Sequence, residues 1–293
     1  MESFDPIFIV GVQRSGTTFL RLLLNRHPDI YIPFETNFLY ILKLSENTDF
    51  SDLSQKKALM KRILEEPLTA KGDIQFSDFE RLDDVSNATQ MIDMLFEENC
   101  QKAGKVRWGV KTPHYVLKMH QIMQLYPNAR IIALVRDPRD IFLSQKGISW
   151  GIKDPVRMAN AWNLAEYSIE MIRTLFPDNI KTVRYEDLIR NTEGMVKEIC
   201  DFVQCDFQPS LLNFDNNPQT MPTDSVQWHQ KSMQKPDVNK IYAWKTKLNK
   251  YEKAVFANMS GELLKKWGYE ADKVRFNVVE KVIKKIRNAI LYA

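Results

Sequence analysis

Residues 7–18 read Ile7-Phe8-Ile9-Val10-Gly11-Val12-Gln13-Arg14-Ser15-Gly16-Thr17-Thr18, and Phe19-Leu20-Arg21-Leu22-Leu23-Leu24 follow. Four consecutive large apolar residues are the signature of a strand buried on both faces. The helical pattern that follows runs to about residue 26 and stops before Pro28. Between the two, Gly11 and Gly16 allow dihedrals closed to other residues and close approach of the backbone. A strand turning sharply into a helix aims unpaired backbone N–H groups and the positive end of the helix dipole at one point, which makes an anion site. The loop matches the two glycines and final hydroxyl of the pattern G-x-x-x-x-G-K-[ST]. However, Thr17 stands where that pattern has Lys, and the cation has moved to Arg14. Without the lysine that reaches the β- and γ-phosphates, the loop is expected to hold a phosphate but not a magnesium-bound triphosphate. A ligand-free glycine turn is the plainer alternative, and Arg14 grouped with three hydroxyls argues against it.

Working outward, short apolar runs alternate with helical patterns. Val106–Val110, Arg130–Val135 and Ile180–Tyr185 are the further strand candidates, and Ile30–Phe34 reads as a second strand beside the first. Helices are expected near 88–102, 114–125 and 156–176. In the last of these, Met158, Trp162, Ala165, Ile169 and Ile172 form an apolar stripe at steps of three or four. Residues 45–85 read as a helical insertion. The rhythm predicts an α/β fold of three layers, a mostly parallel sheet with helices on both faces, resembling the P-loop NTPases. One domain over residues 1–272 is expected, followed by a basic amphipathic helix over 273–293.

The chain has 293 residues, 44% hydrophobic and 27% charged, which argues against disorder and fibrous repeats. It lacks the long uncharged apolar run a membrane helix needs. The N-terminus does not read as a signal peptide. Cys100, Cys200 and Cys205 form no C-x-x-C pair, so a disulfide scaffold is not expected and a reducing cytoplasm fits. The net charge of +4 is unevenly placed: residues 229–253 and 273–293 each carry a local +5. In the tail, Phe276, Val279, Ile283, Ile286 and Ile290 alternate with Lys281, Lys284, Lys285 and Arg287. Such a helix either packs on its own domain or a sister subunit, or rests on an anionic membrane surface. The basic segments carry no nucleic-acid recognition motif, so no nucleic-acid partner is expected.

A second constellation is Val135-Arg136-Asp137-Pro138-Arg139-Asp140, with Ser144 eight residues beyond Arg136. Pro138 suits a first helical turn and Asp137 its cap. Arg136 then sits at the carboxyl edge of a strand, where α/β folds bind ligands, and Ser144 lies about two turns on. A capped helix start with surface ion pairs is the structural alternative. A third run, Val183-Arg184-Tyr185-Glu186-Asp187-Leu188, ends the last strand.

Together, in this order over about residues 7–190, these motifs resemble the sulfotransferase family. Its members move a sulfuryl group from 3′-phosphoadenosine 5′-phosphosulfate to a hydroxyl or amine and release 3′,5′-bisphosphoadenosine. The resemblance implies that Arg14, Ser15, Gly16, Thr17 and Thr18 bind the 5′-phosphosulfate and that Arg136 and Ser144 bind the 3′-phosphate. It also sets Phe19 and Tyr185 against the adenine, with core packing as the alternative for each. The segment His27-Pro28-Asp29-Ile30-Tyr31-Ile32-Pro33-Phe34-Glu35 resembles that of tyrosyl-protein and glycosaminoglycan enzymes, in which a glutamate acts as base. This implies Glu35 here. His114, in Lys111-Thr112-Pro113-His114, is the rival base. Partial burial among Phe34 and Phe38 is expected to raise the Glu35 pKa toward neutrality. The R-K-G closing stretch of the cytosolic enzymes is absent. Residues 229–253, with Trp244-Lys245 at their centre, resemble the looser closing segment of other members, and Lys245 is the first choice there.

In-line transfer builds charge on the leaving oxygen, as in phosphoryl transfer. Arg14 and Lys111 are the natural charge stabilisers. Protein cations hold the bisphosphate, so no metal is expected, and the four histidines and three cysteines show no zinc spacing. The acceptor is open among small molecules, carbohydrates, lipids and peptides. Tyr31, Phe34, Phe38 and Tyr40 either line its pocket or belong to the core. A metabolite kinase and a nucleic-acid module are the competing classes; magnesium-dependent ATP binding would identify the first.

Overall fold

The computed structural model describes residues 5–43, 47–72, 74–214, 237–238 and 241–271. The basic tail and residues 229–236 and 239–240 of the lysine-rich segment 229–253 lie outside the described residues. The described residues fall into two compact units, those within 5–136 and 164–241 and those within 137–163 and 242–271.

The first unit is built on a five-stranded parallel sheet in the order β2-β3-β1-β4-β5. The strands are β1 (Ile7–Gly11), β2 (Ile30–Tyr31), β3 (Arg107–Lys111), β4 (Arg130–Val135) and β5 (Ile180–Arg184). The two-residue period of a strand divides their side chains between the faces. On one face Ile7, Ile9, Ile132, Leu134 and Val183 pack with Leu20 and Leu23 of α1 (Thr17–Leu24) and with Val196 and Ile199 of α10 (Thr192–Val203). On the other, the Phe8 ring meets Trp108 edge-on at 6.2 Å, and Trp108 stacks at 4.7 Å on Phe96 of α5 (Ala88–Lys102). Every residue of β1 and β3 is buried, as expected for inner parallel strands. The expected α/β layering is therefore present.

The second strand differs from expectation in length and place. It covers only Ile30 and Tyr31, and its neighbour is β3, not β1. Beyond Tyr31 the backbone is claimed by side chains of α1 and its end. The Ile32 N–H donates to Asn25 Oδ1 at 2.9 Å, and the buried Arg21 Nε donates to the carbonyls of Ile32 and Pro33 at 2.9 and 2.7 Å. Pro33 has no N–H to continue a ladder. The run 32–37 is consequently a loop, and β3 takes the place beside β1, with Ile9 opposite Lys111.

The insertion is helical as expected: α3 (Leu53–Glu65), α4 (Pro67–Lys71) and a 3₁₀ turn over Phe79–Asp84. A short α2 (Phe38–Lys43) precedes it. The helix expected near 114–125 divides into a 3₁₀ turn, Pro113–Leu117, and α6 (Met119–Leu125). The stripe from Met158 to Ile172 on α8 (Pro155–Leu175) is buried. Among the described residues no helix is long and apolar enough to cross a membrane.

In the second unit, α7 (Pro138–Lys146) starts as expected. Pro138 occupies the first turn and the Asp137 carboxylate accepts from the Arg139 N–H at 3.0 Å. The ion pairs there are not on the surface, however: Asp137 and Arg139 are both buried, 2.7 Å apart, with the guanidinium 3.5 Å above the Trp244 ring. Asp140 accepts from the N–H groups of Tyr242 and Trp244 at 2.7 and 2.9 Å. This fastens α7 to the start of α11 (Trp244–Lys247), which α12 (Lys250–Met259) and α13 (Gly261–Lys266) follow.

Candidate active site

The turn between β1 and α1 has three consecutive departures from ordinary backbone: Gly11 (φ 152), Arg14 (φ 75) and Gly16 (φ 103). A non-glycine residue in the left-handed region costs on the order of 1–3 kcal/mol and persists only where its surroundings require it. Gly16 is required for space as well, since a Cβ there would lie 2.3 Å from Cδ2 of Tyr185. The first turn of α1 has no side-chain cap and no acidic residue, so its N–H groups are left for another acceptor. The Ser15 Oγ is buried with no hydrogen-bond partner among the described residues. A polar atom in that condition carries a desolvation cost unless something arrives to bond it.

Cations converge on the same turn. Arg136, just past β4, donates from Nη1 to the Arg14 carbonyl at 2.9 Å, and its guanidinium lies 4.3 Å from the centre of the Tyr185 ring. Tyr185 follows β5 directly, so the pairing of β4 with β5 places the two side by side. The Arg14 pKa is lowered, chiefly by burial and next by the neighbouring Arg136 charge. Two guanidinium groups that repel each other, beside uncapped N–H donors, give the turn a positive character that the Glu35 charge only partly opposes. These residues fit a phosphate or sulfate group.

The third component comes from β3. Lys111 is completely buried, and its Nζ lies 2.5 Å from Glu35 Oε1, 3.4 Å from Thr18 Oγ1 and 5.0 Å from the centre of the Phe34 ring. Burial lowers its pKa, and the Glu35 carboxylate opposes that shift. Glu35 therefore has a neighbour its own segment of sequence did not reveal: an ammonium group, not apolar rings alone. Phe38 is in the core, edge-on to Phe96 and Tyr115, at some remove in role from Phe34.

The loop bearing Glu35 is fixed at both ends. Arg21 holds its start, and the Thr36 N–H donates to Thr112 Oγ1 at 3.2 Å, while that hydroxyl donates back to the Thr36 carbonyl at 2.8 Å. Two further residues, neither singled out by sequence, extend the site. Glu66 accepts from Asn37 Nδ2 at 2.9 Å, and Asn37 Oδ1 lies 2.8 Å from His114 Nε2. With its amide nitrogen committed to Glu66, Asn37 presents its oxygen to His114. The histidine proton then sits on Nε2, and Nδ1 keeps its lone pair. Burial lowers the His114 pKa, so the ring is neutral at neutral pH. Nothing in the chain's spacing marks Asn37 or Glu66, which are far apart in sequence; in the structure Glu66 also caps α4.

Arg14, Ser15, Gly16, Thr17, Thr18, Glu35, Lys111, His114, Arg136 and Tyr185 thus all lie in the first unit at the carboxyl ends of the strands. Phe19 packs in the core, its ring parallel to that of Phe214 with centroids 6.1 Å apart. Tyr40 is exposed and lies 5.5 Å from His114 and 5.1 Å from Lys118 Nζ, whereas Tyr31 is half-buried in β2. Ser144 and Lys245 belong to the second unit; there Lys245 Nζ pairs with Glu270 at 2.8 Å. No group of three or more metal-ligating side chains is gathered among the described residues.

The profile of the sulfotransferase family matches residues 6–209. This chain belongs to the sulfotransferase family. Among its curated relatives, a protein-tyrosine sulfotransferase of Drosophila melanogaster is 28% identical over 242 residues, 78% of this chain. The nodulation protein NoeE of Sinorhizobium fredii is 30% identical over 145 residues, 50% of this chain. The chain spans 44% of the length of the first of these and 32% of the second. Among solved structures, the sulfotransferase domain of the Synechococcus olefin synthase is similar in fold. It has a TM-score of 0.62 at 22% identity, covering 93% of this chain and 98% of that one. The sulfotransferase domain from the curacin biosynthetic pathway gives 0.60 at 23% identity, covering 93% and 100%.

Proposed function

We propose that this sulfotransferase-family chain moves a sulfuryl group from 3′-phosphoadenosine 5′-phosphosulfate to an acceptor hydroxyl or amine, with Glu35 as general base. The observation that carries the proposal is the Glu35–Lys111–Thr18 contact, which sets a carboxylate and a buried ammonium beside the anion-binding turn. Arg14 to Thr18 receive the phosphosulfate end through N–H groups, hydroxyls and a guanidinium. Arg136 receives the 3′-phosphate, and the family resemblance offers Ser144 for the same group. Tyr185 offers its ring to the adenine, and Lys245 is the late lysine that the family resemblance favours for the nucleotide. Arg14 and Lys111 stabilise the charge that develops on the leaving bisphosphate, a role in which fixed charges in a dry site are most effective. The proton of the acceptor passes to a Glu35 oxygen, and no metal is called for.

His114 supports a second reading. Its Nδ1 is held as an unprotonated acceptor through Asn37 and Glu66, which is the state a base needs before it acts. The names of the curated relatives put peptide tyrosine among the first acceptors to test; carbohydrate, lipid and small-molecule hydroxyls follow. A cytoplasmic location is part of the proposal.

Donor choice tests it directly. Calorimetric titration should show 3′,5′-bisphosphoadenosine binding far more tightly than ATP, because both of its phosphates have dedicated cations. Equal affinity for the two nucleotides would refute the proposal.

A further inference from the structure

Helix α10 ends in a way that brings two cysteines together. Gln204 is left-handed (φ 58), its N–H donates to the Asp201 carbonyl at 3.1 Å, and the Cys205 N–H donates to the Cys200 carbonyl at 2.9 Å. These nested bonds are those of a Schellman turn, in which the side chains flanking the reversal come into contact. Usually that contact is between two apolar residues. Here it is between two thiols, which share a hydrogen bond.

The two thiols have unlike surroundings. Cys200 is fully buried among Val196, Ile199 and Val203. Cys205 is half-buried and lines a cavity of about 520 Å³ together with His27, Asp29, Arg107 and Asp206. Arg107 is fastened there: Nη1 donates to the Val203 carbonyl, and Nε and Nη2 each donate to the Asp5 carbonyl at 3.1 Å. The hydrogen bond from Cys200, and then the Arg107 charge, lower the Cys205 pKa against the opposing effects of burial and of Asp206 and Asp29. Cys200 shifts upward, through that same hydrogen bond and burial. One sulfur is accessible and thiolate-prone, and the other is enclosed behind it. That is the division of labour between an attacking and a resolving cysteine.

We propose that Cys200 and Cys205 form a reversible dithiol–disulfide couple oxidised by hydroperoxides, with Cys205 attacking and Cys200 resolving. The Cys205 thiolate attacks the peroxide oxygen, the O–O bond breaks, and the protein carries Cys205 sulfenic acid while the peroxide leaves as water or an alcohol. The Cys200 sulfur then attacks the Cys205 sulfur. The S–O bond breaks, and the hydroxyl departs as water with the Cys200 proton. Two thiols lose two electrons to one peroxide, and the new bond closes the turn over residues 200–205. The bond from the Cys205 N–H to the Cys200 carbonyl draws the ends of this short turn together, the close approach a disulfide requires. Arg107 opens β3, whereas Lys111 closes it, so this couple lies at the opposite sheet edge from the anion-binding turn. It does not depend on the function proposed above.

The test is to treat the full chain with hydrogen peroxide, quench, alkylate with iodoacetamide in denaturant and map the tryptic peptides by mass. A single peptide containing both Cys200 and Cys205, lighter by two hydrogens and restored by dithiothreitol, is expected, while Cys100 stays unoxidised; burial pushes the Cys100 thiol up to about 11 and keeps it from the peroxide. In Cys205→Ser, Cys200 should remain a free thiol at the same dose. In Cys200→Ser, oxidation should stop at a sulfenic acid that dimedone traps on Cys205. The proposal fails if both thiols of the wild-type chain survive a dose that oxidises glutathione. It fails equally if Cys205 is found linking two chains or converted to sulfinic acid. The wild-type map decides even where a serine variant folds poorly.

Discussion

Replacing Glu35 by Gln separates a catalytic role from a structural one. Lys111 is wholly buried, and among the described residues its side chain meets, besides Glu35, one hydroxyl at 3.4 Å and one aromatic face at 5.0 Å. Removing one partner of a buried pair costs about 3–5 kcal/mol, because the other charge stays buried without compensation. Glu35 retains 14% exposure, which puts the expectation at the lower end, about 3 kcal/mol. Turnover should fall by roughly 10²–10⁴ if the carboxylate takes the proton. The stability loss should depend on pH. Burial already lowers the Lys111 pKa, and Glu35 is the main influence holding it up. In Glu35→Gln the folded-state pKa drops further below the unfolded one, so the folded protein binds fewer protons and its stability rises with pH. Urea denaturation of the variant should therefore improve between neutral pH and about pH 10, the ordinary lysine range, more than the wild type does. The double variant Glu35→Gln/Lys111→Met should regain stability, since no charge is stranded, while transfer from radiolabelled donor stays lost. A Glu35→Gln protein that turns over at near wild-type rate while His114→Asn is dead would refute the assignment of the base.

Three other outcomes follow from the same geometry. Gly16→Ala sets a methyl group against Tyr185 at a backbone angle hostile to side chains, so it should lower thermal stability by on the order of 1–3 kcal/mol and weaken nucleotide binding in calorimetry. Wild-type behaviour in both would show that the turn is not a close-packed cradle. Arg136→Ala should cost about 1.5–3 kcal/mol of affinity for 3′,5′-bisphosphoadenosine and leave affinity for the nucleotide lacking the 3′-phosphate nearly unchanged; equal losses for both would place Arg136 elsewhere. Asp93, on α5, has its pKa raised to about 6, mainly by burial. Its folded-state stabilisation is present at acid pH and lost as pH rises through about 6, so Asp93→Asn should gain about 1 kcal/mol at neutral pH, after allowance for solvent screening, and nothing near pH 4. A pH-independent difference in urea midpoint would remove Asp93 as the cause.

Local chemistry made much of this protein legible from sequence. The apolar run Ile7–Val10, the two glycines after it and the helical pattern from Thr17 together admit few structures, because each choice constrains the same short stretch of backbone. The inner strands β1 and β4 announce themselves by unbroken apolar residues, Ile7–Val10 and Ile131–Val135, and Pro138 after Asp137 announces a helix start. Arg14, Ser15, Gly16, Arg136 and Tyr185 could be picked out since each sits at a fixed offset from a strand end, and parallel strands bring their carboxyl ends to one edge. The order of the strands was not legible. Ile30–Phe34 looked like a neighbour of β1, but Arg21 and Asn25 take up its backbone groups and β3 occupies the place instead. That exchange, made by long-range hydrogen bonds with no local signature, is what inserts Lys111 between Thr18 and Glu35. It also brings Asn37 and Glu66 to His114, and the reversal after Gln204 brings Cys205 back to Cys200. Periodicity reports which face of an element is buried; which residues meet across elements is decided only when the sheet closes and every buried polar group must find a partner.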